Sequence, residues 1–244
     1  MDVSEKRKAQ LGAISYPLPH GEQRLRLSTV GNYLQQESLV IRFLHQFGRS
    51  PEVYHLPEQI EILQQHTKKR GLYLFCGPVG SGKTTLMYKL AREMDGQVIT
   101  IEDPVEIEEA DFLQLQVNEK IYQSYDELIK LSLRHHPDVL IIGEIRDTKT
   151  IQGAIRAALT GHCVYATIHA ASLESAHARI FELGGEATLL KECLQGIVYQ
   201  ELLSVNETVG LLTSYRFYKE EVHFTWKEGL NRVAQKANDE KTTS

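Results

Sequence analysis

Residues 77–84 read Gly-Pro-Val-Gly-Ser-Gly-Lys-Thr, and they satisfy the phosphate-loop pattern G-x-x-x-x-G-K-[ST] at every fixed position. The chemistry this spacing supports is anion binding through the backbone. Glycines at 77, 80 and 82 let the chain turn tightly and aim successive N–H groups at one concave surface. That surface opens a helix, where unpaired amides and the macrodipole favour negative charge. On this reading Gly77, Pro78, Val79, Gly80, Ser81, Gly82, Lys83, Thr84 and Thr85 form a cradle for ATP. Lys83 reaches the β- and γ-phosphates, and the Thr84 hydroxyl ligates Mg²⁺.

A phosphate loop by itself binds nucleotide. Hydrolysis also needs groups that hold Mg²⁺ and orient water. Two acidic clusters, Glu102-Asp103-Pro104-Val105-Glu106 and Glu144-Ile145-Arg146-Asp147, directly follow apolar runs. A carboxylate at the tip of a buried strand is costly to desolvate unless it meets a cation or a donor. Glu102 and Glu144 are therefore candidates for water and metal-ion chemistry, whereas Asp103 and Asp147 are equally suited to capping a helix. His162 and His169 bracket another apolar run, and each can donate a hydrogen bond at neutral pH. Their odd spacing of seven puts them on opposite faces of an ideal strand, so both contacting one phosphate is not expected.

The elements that must position these residues alternate along the chain. Strands are expected at 71–76, 97–101, 113–117, 138–143 and 162–168, with helices at 57–69, 86–94, 148–159, 173–183 and 187–203. A helix from Ser124 to about His135 opens on the capping box Ser124-Tyr125-Asp126-Glu127 and stops before Pro137. A late hairpin (209–218 with 222–226) and a polar tail complete the chain. Such alternation indicates an α/β domain with its ligand at the carboxyl ends of the strands. The first 50 residues are different: 24–30 and 38–44 read as paired strands of a β-rich module. Two strands do not make a stable sheet alone, so this module must pack on something else.

Composition narrows the classes. A formal net charge of −5 over 244 residues carries no electrostatic footprint for nucleic acid. Three separated cysteines in apolar surroundings, with no C-x-x-C pair, give no zinc site or disulfide framework. No apolar run approaches the ~20 residues that cross a bilayer. The basic N-terminal segment lacks an apolar signal core. The expected location is cytoplasmic, at the membrane only through a partner.

Four segments then make a family resemblance. They are Gly77-Pro78-Val79-Gly80-Ser81-Gly82-Lys83-Thr84-Thr85; Ile99-Thr100-Ile101-Glu102-Asp103-Pro104-Val105-Glu106; the run from Leu133 to Asp147 ending Ile141-Ile142-Gly143-Glu144-Ile145-Arg146-Asp147; and Ala158-Leu159-Thr160-Gly161-His162 through His169. Their order resembles the traffic ATPases of type II secretion and type IV pilus assembly, with a Walker A loop, an aspartate box, a Walker B box and a histidine box. Within that family, 115–120, 125–128 and 196–200 are most similar to the competence-pilus branch.

The resemblance implies a RecA-like P-loop NTPase domain over 48–244, assembled as a hexameric ring, after a partial N-terminal β-rich module over 1–47. It assigns Glu102 to polarising water, Glu144 to ordering Mg²⁺, and His162 and His169 to sensing the γ-phosphate or stabilising the domain arrangement. Arg26 and Arg42 match the module's arginine strands, which reach ATP on a neighbouring domain. The implied partners are further copies of the chain, an inner-membrane platform protein and, indirectly, pilins, without direct nucleic-acid contact or zinc. The implied function is a motor for a competence-type pilus or secretion pseudopilus serving DNA uptake. A retraction ATPase and an ATP-binding scaffold without efficient turnover are the alternatives.

Overall fold

The computed structural model describes residues 8–18, 21–34, 36–44 and 53–243. The chain divides into two compact units, Met1–Ser50 with Glu106–Glu108, and Pro51–Val105 with Glu109–Ser244.

The first unit is an antiparallel sheet of β1 (Gln10–Leu18), β2 (Gly21–Gly31) and β3 (Glu37–Leu44), in that order. The sequence pattern pointed to two strands; β1 is the third, and it gives β2 a partner on each edge. Register places Ile14 and Phe43 on either side of Leu25, and Ile41 beside Leu27. Cross-strand neighbours share a face, so one face of this sheet is apolar. Ile14, Tyr16, Leu39, Ile41 and Phe43 on that face are exposed.

The second unit is built on an eight-stranded sheet. Its strands are β4 (Gly71–Cys76), β5 (Val98–Glu102), β6 (Leu113–Gln116), β7 (Val139–Ile142), β8 (Cys163–Ile168), β9 (Leu194–Val205), β10 (Thr208–Phe217) and β11 (Val222–Phe224). The order is β11-β10-β9-β4-β8-β7-β5-β6; β4 to β9 pair parallel, and β10 and β11 add on antiparallel. β4, β5, β7 and β8 are buried along their whole length, as strands covered on both faces must be.

Helices supply that cover. They are α1 (Glu58–His66), α2 (Lys83–Arg92), α3 (Tyr125–Ser132), α4 (Thr148–Leu159), α5 (Leu173–Glu182), α6 (Ala187–Cys193) and α7 (Trp226–Thr243). Alternate strand residues Leu72, Leu74, Ile99, Ile101, Leu140, Ile142, Val164 and Ala166 form one core with Ile129 of α3, Ile151 and Ile155 of α4, Ile180 of α5 and Leu190 of α6. The intervening residues face the other way. There Tyr165 meets Tyr73 and Phe75 edge-on, and its hydroxyl donates to the Thr67 carbonyl just past α1.

Two expectations fail near the C-terminus. The helix expected over 187–203 stops at Cys193, and Leu194–Val205 is strand β9. An apolar run of that length suits either state; the parallel edge of β4 decides it. Gly196 marks the strand, since a Cβ there would lie 2.4 Å from the Phe217 ring across the β9–β10 pair. The polar tail is helix α7, capped reciprocally by Thr225 and Glu228 and packed through Gly229 onto Leu212.

If β9 is a core strand, truncation along it should cost stability in step with burial. Ile197→Ala, at a fully buried position, should lower the unfolding free energy by about 2–5 kcal/mol. Leu202→Ala, at a position 45% exposed, should stay within about 1 kcal/mol of the parent. Urea unfolding of the two variants measures the contrast.

Candidate nucleotide-binding site

Parallel register brings four strand ends to one edge of the second unit. Ile101 pairs with Ile142, Ile142 with Ala166, and Ala166 with Leu74. The residues that follow are therefore neighbours: the phosphate loop after β4, Glu102 at the tip of β5, Glu144 after β7 and His169 after β8.

The loop has the conformation its glycines allow. Gly77, Gly80 and Gly82 hold φ of 141°, 78° and 82°, a region costly for residues with a Cβ. A Cβ on Gly77 would also lie 2.1 Å from the Gln200 carbonyl oxygen. Gly82 caps α2 without a side-chain bond. The first intrahelical bond is Leu86 N–H to the Gly82 carbonyl. The amides of Lys83, Thr84 and Thr85 are thus left without a partner among the described residues, and an anion suits them. The Ser81 hydroxyl is buried and equally unpaired, while Gln200 Nε2 donates to the Ser81 carbonyl at 2.7 Å and holds the loop to β9. Pro78, Val79 and Gly80 are exposed, so the concave side is open. Lys83 Nζ donates to the carbonyls of Gly77 and Pro78 at 3.0 and 2.8 Å. Burial lowers its pKa, and Cys76 and then Glu144 oppose that shift. Orphaned donors, an unpaired hydroxyl and a lysine at one loop fit a polyphosphate.

Glu102 is only 4% exposed. Tyr88 Oη and Thr100 Oγ1 both donate to its Oε1, at 2.5 and 2.7 Å, and Gln114 Nε2 donates to Tyr88 Oη at 2.8 Å. Tyr88 lies on α2, the helix the phosphate loop opens. Burial first, and the Glu102 charge next, drive the Tyr88 pKa far up, so the phenol remains a donor. Glu144 is held differently. His169 Nε2 lies 2.8 Å from its Oε1, and Arg146 bonds its Oε2 at 2.5–2.6 Å. The Arg146 pKa is raised, chiefly by that bond. The Gly143 amide donates to the Ile101 carbonyl at 2.8 Å, and a Cβ on Gly143 would lie 3.3 Å from Glu102 Cγ. The glycine before Glu144 therefore lets the two acidic tips approach closely.

The remaining candidates separate. His169 joins this edge through Glu144. His162 does not: its Nδ1 lies 3.1 Å from the Ala157 carbonyl at the end of α4. It precedes β8, whose six residues place it about 20 Å from His169. Asp147 caps α4 by accepting from Thr150 N at 2.8 Å, the structural role its spacing allowed. Arg26 and Arg42 lie directly opposite one another on β2 and β3 of the first unit, and Arg42 pairs with Glu106 of the same unit at 2.9 Å.

Sequence reasoning missed Tyr88, Thr100 and Gln114, because a tyrosine on a buried helix face reads as core. It also missed Tyr125 at the start of α3. Burial and the charges of Asp103, Arg146, Glu144 and Glu102 all act on that phenol, with a net rise in its pKa.

A profile of the family described as "Type II/IV secretion system protein" matches residues 1–240. The chain belongs to that family. It is 48% identical over 235 residues to the competence protein ComGA of Streptococcus pneumoniae, covering 96% of this chain and 74% of that protein. Identity to ComGA of Bacillus subtilis is 38% over 213 residues, covering 84% of this chain and 59% of the relative. The type II secretion system protein E of Pseudomonas aeruginosa is 35% identical and 42% covered, so the chain spans only part of these relatives. Among solved structures, the pilus retraction motor PilT with bound ADP aligns at a TM-score of 0.72 and 25% identity, covering all of this chain and 73% of that one. The Legionella pneumophila ATPase DotB aligns at 0.69 and 25%, covering 88% and 64%. The parallel sheet and these neighbours show the RecA-like ATPase fold that the motif order implied.

Removing the Tyr88 hydroxyl leaves a buried carboxylate with one donor fewer. Tyr88→Phe should cost about 1–3 kcal/mol in urea unfolding. Combined with Glu102→Gln, the losses should fall short of additivity by at least about 0.5 kcal/mol. Strict additivity in that cycle would show that the two groups do not interact.

Proposed function

We propose that the chain is the ATP-hydrolysing part of a motor that powers assembly of a competence-type pilus or secretion pseudopilus, and so serves DNA uptake. One observation carries the reading: a phosphate loop with unpaired amides is bordered by two carboxylates, Glu102 and Glu144, on adjacent strand tips. The competence and secretion relatives and the ADP-bound PilT structure support it.

In this reading the amides of residues 82–85 and Lys83 bind the β- and γ-phosphates. Glu102 orients the attacking water and accepts its proton; the hydroxyls of Tyr88 and Thr100 fix the rotation of that carboxylate. Mg²⁺, when bound, neutralises phosphate charge and is held by Thr84 and Glu144. His169, bonded to Glu144, reports on the γ-phosphate, and His162 braces the domain from the far end of β8. Arg26 and Arg42 neutralise developing charge on the nucleotide of a neighbouring copy in a hexameric ring. Two like charges directly opposite on a sheet repel, and an arriving polyphosphate relieves that repulsion. The exposed apolar face of the first unit supports contact with another copy. The ring then acts on pilins through an inner-membrane platform protein, at the cytoplasmic side of the membrane. No helix among the described residues is long and apolar enough to cross a bilayer.

The likeness to PilT favours retraction as a second reading. Assembly is preferred because identity to a competence protein is 48%, against 25% to the retraction motor.

Phosphate release and nucleotide binding, measured separately, test the proposal. Lys83→Ala should abolish release. Glu102→Gln should bind ATP as the parent does, with turnover reduced at least ~100-fold. Unchanged turnover in Glu102→Gln would remove its catalytic role, and binding without Lys83-dependent release would leave a scaffold. Mixing an Arg26 or Arg42 variant with a Lys83 variant should restore part of the activity if the arginines act between copies. Absence of any recovery counts against that.

A further inference from the structure

Between the first turns of α5 and α7 the second unit encloses a cavity of about 300 Å³ that no phosphate-loop residue lines. Its floor is one face of the sheet. Ser214 pairs with Tyr199 and Arg216 with His223, so all four point to the same side. Two helix starts form the walls: Leu173 and Glu174 open α5 behind the cap Ser172, and Trp226 and Lys227 open α7 behind the cap Thr225. Each cap takes the third amide of its helix, Ser175 N–H at 3.1 Å and Glu228 N–H at 3.3 Å. The first two amides of both helices have no partner among the described residues. Converging helix N-termini favour an anion.

Ser214 is 2% exposed and lines the cavity, so its hydroxyl is the donor that the sheet offers to a ligand oxygen there. Arg216 and Lys227 add positive charge around it, and His223 adds an imidazole. Two carboxylates are near: Glu174 is exposed and lies 3.7 Å from Arg216, a loose pair that an entering anion can replace, and Glu228 is held by the Thr225 amide at 2.7 Å. Four amides, a hydroxyl and a guanidinium offer more donors than the roughly four lone-pair sites of a carboxylate accept, whereas a phosphate brings three strong acceptor oxygens, each able to take more than one. The volume lies at the small end of ligand sites.

We propose that this cavity binds the phosphate group of a small soluble ligand, at a site separate from the phosphate loop. The inference does not rest on the ATPase reading. Trp226 is the sole tryptophan of the chain and packs edge-on against Tyr199 with ring centroids 5.0 Å apart, so its fluorescence reports on the cavity directly.

The test titrates the whole chain with inorganic pyrophosphate and follows Trp226 emission. A saturable change is expected. It should persist in Lys83→Ala, whose loop is impaired. Half-saturation should rise at least about tenfold in Arg216→Gln, which loses a charge-assisted bond. It should also rise in Lys227→Gln, an exposed substitution that leaves the fold intact. Circular dichroism checks each variant. No saturable change, or one that Lys83→Ala removes while Arg216→Gln and Lys227→Gln leave it unaltered, overturns the site. A parallel arm uses phosphatidylglycerol vesicles; a response there without one to pyrophosphate overturns a soluble ligand.

Discussion

A carboxylate kept dry needs donors, and Glu102 draws them from two layers of the domain. Thr100 belongs to its own strand; Tyr88 belongs to the helix that the phosphate loop opens. Hydrogen bonds to charged groups contribute about 1.5–3 kcal/mol each, and an unpaired buried carboxylate costs more than that. The position of α2 over the sheet and the orientation of Glu102 are therefore one constraint. A shift of the loop helix moves Tyr88, and the carboxylate follows or loses its bond. Gln114, from the strand beyond β5, closes the arrangement by donating to the same phenol.

The second acidic tip is organised by opposite means. Glu144 is bonded by a guanidinium and an imidazole, Arg146 and His169. Both partners are more than half exposed, and Arg146 carries the charge. Hydroxyls around one carboxylate, and a guanidinium and an imidazole around its neighbour, keep the two acidic groups close on adjacent strands. Gly143 makes the spacing feasible, since a side chain there would press on Glu102. Parallel pairing of β5 with β7 sets the tips side by side, and pairing of β4 with β8 sets the loop beside His169.

The phosphate loop, the four central strands and helices α2 and α4 were legible because each carries its own local signal: glycine spacing, unbroken apolar runs, or a capping residue such as Asp147. The C-terminal third was less so. Leu194–Val205 has an apolar content that suits a helix as well as a strand, and only the free edge of β4 selects the strand. The polar end of the chain has one buried aliphatic, Val233, to show that it packs as a helix. The cavity between α5 and α7 is assembled from four separate stretches of chain, and no single stretch announces it.

Residue order alone marked a loop suited to phosphate, and where it lies, because backbone amides at a glycine-rich turn act whatever surrounds them. It also determined which carboxylates stand at strand ends. Only the tertiary structure decided which groups hold those carboxylates, and that His169 joins them while His162 remains at the other end of β8. Local conformation follows from neighbours in sequence. A buried charge is governed by whatever the packed layers bring within 3 Å of it, and that depends on the whole sheet.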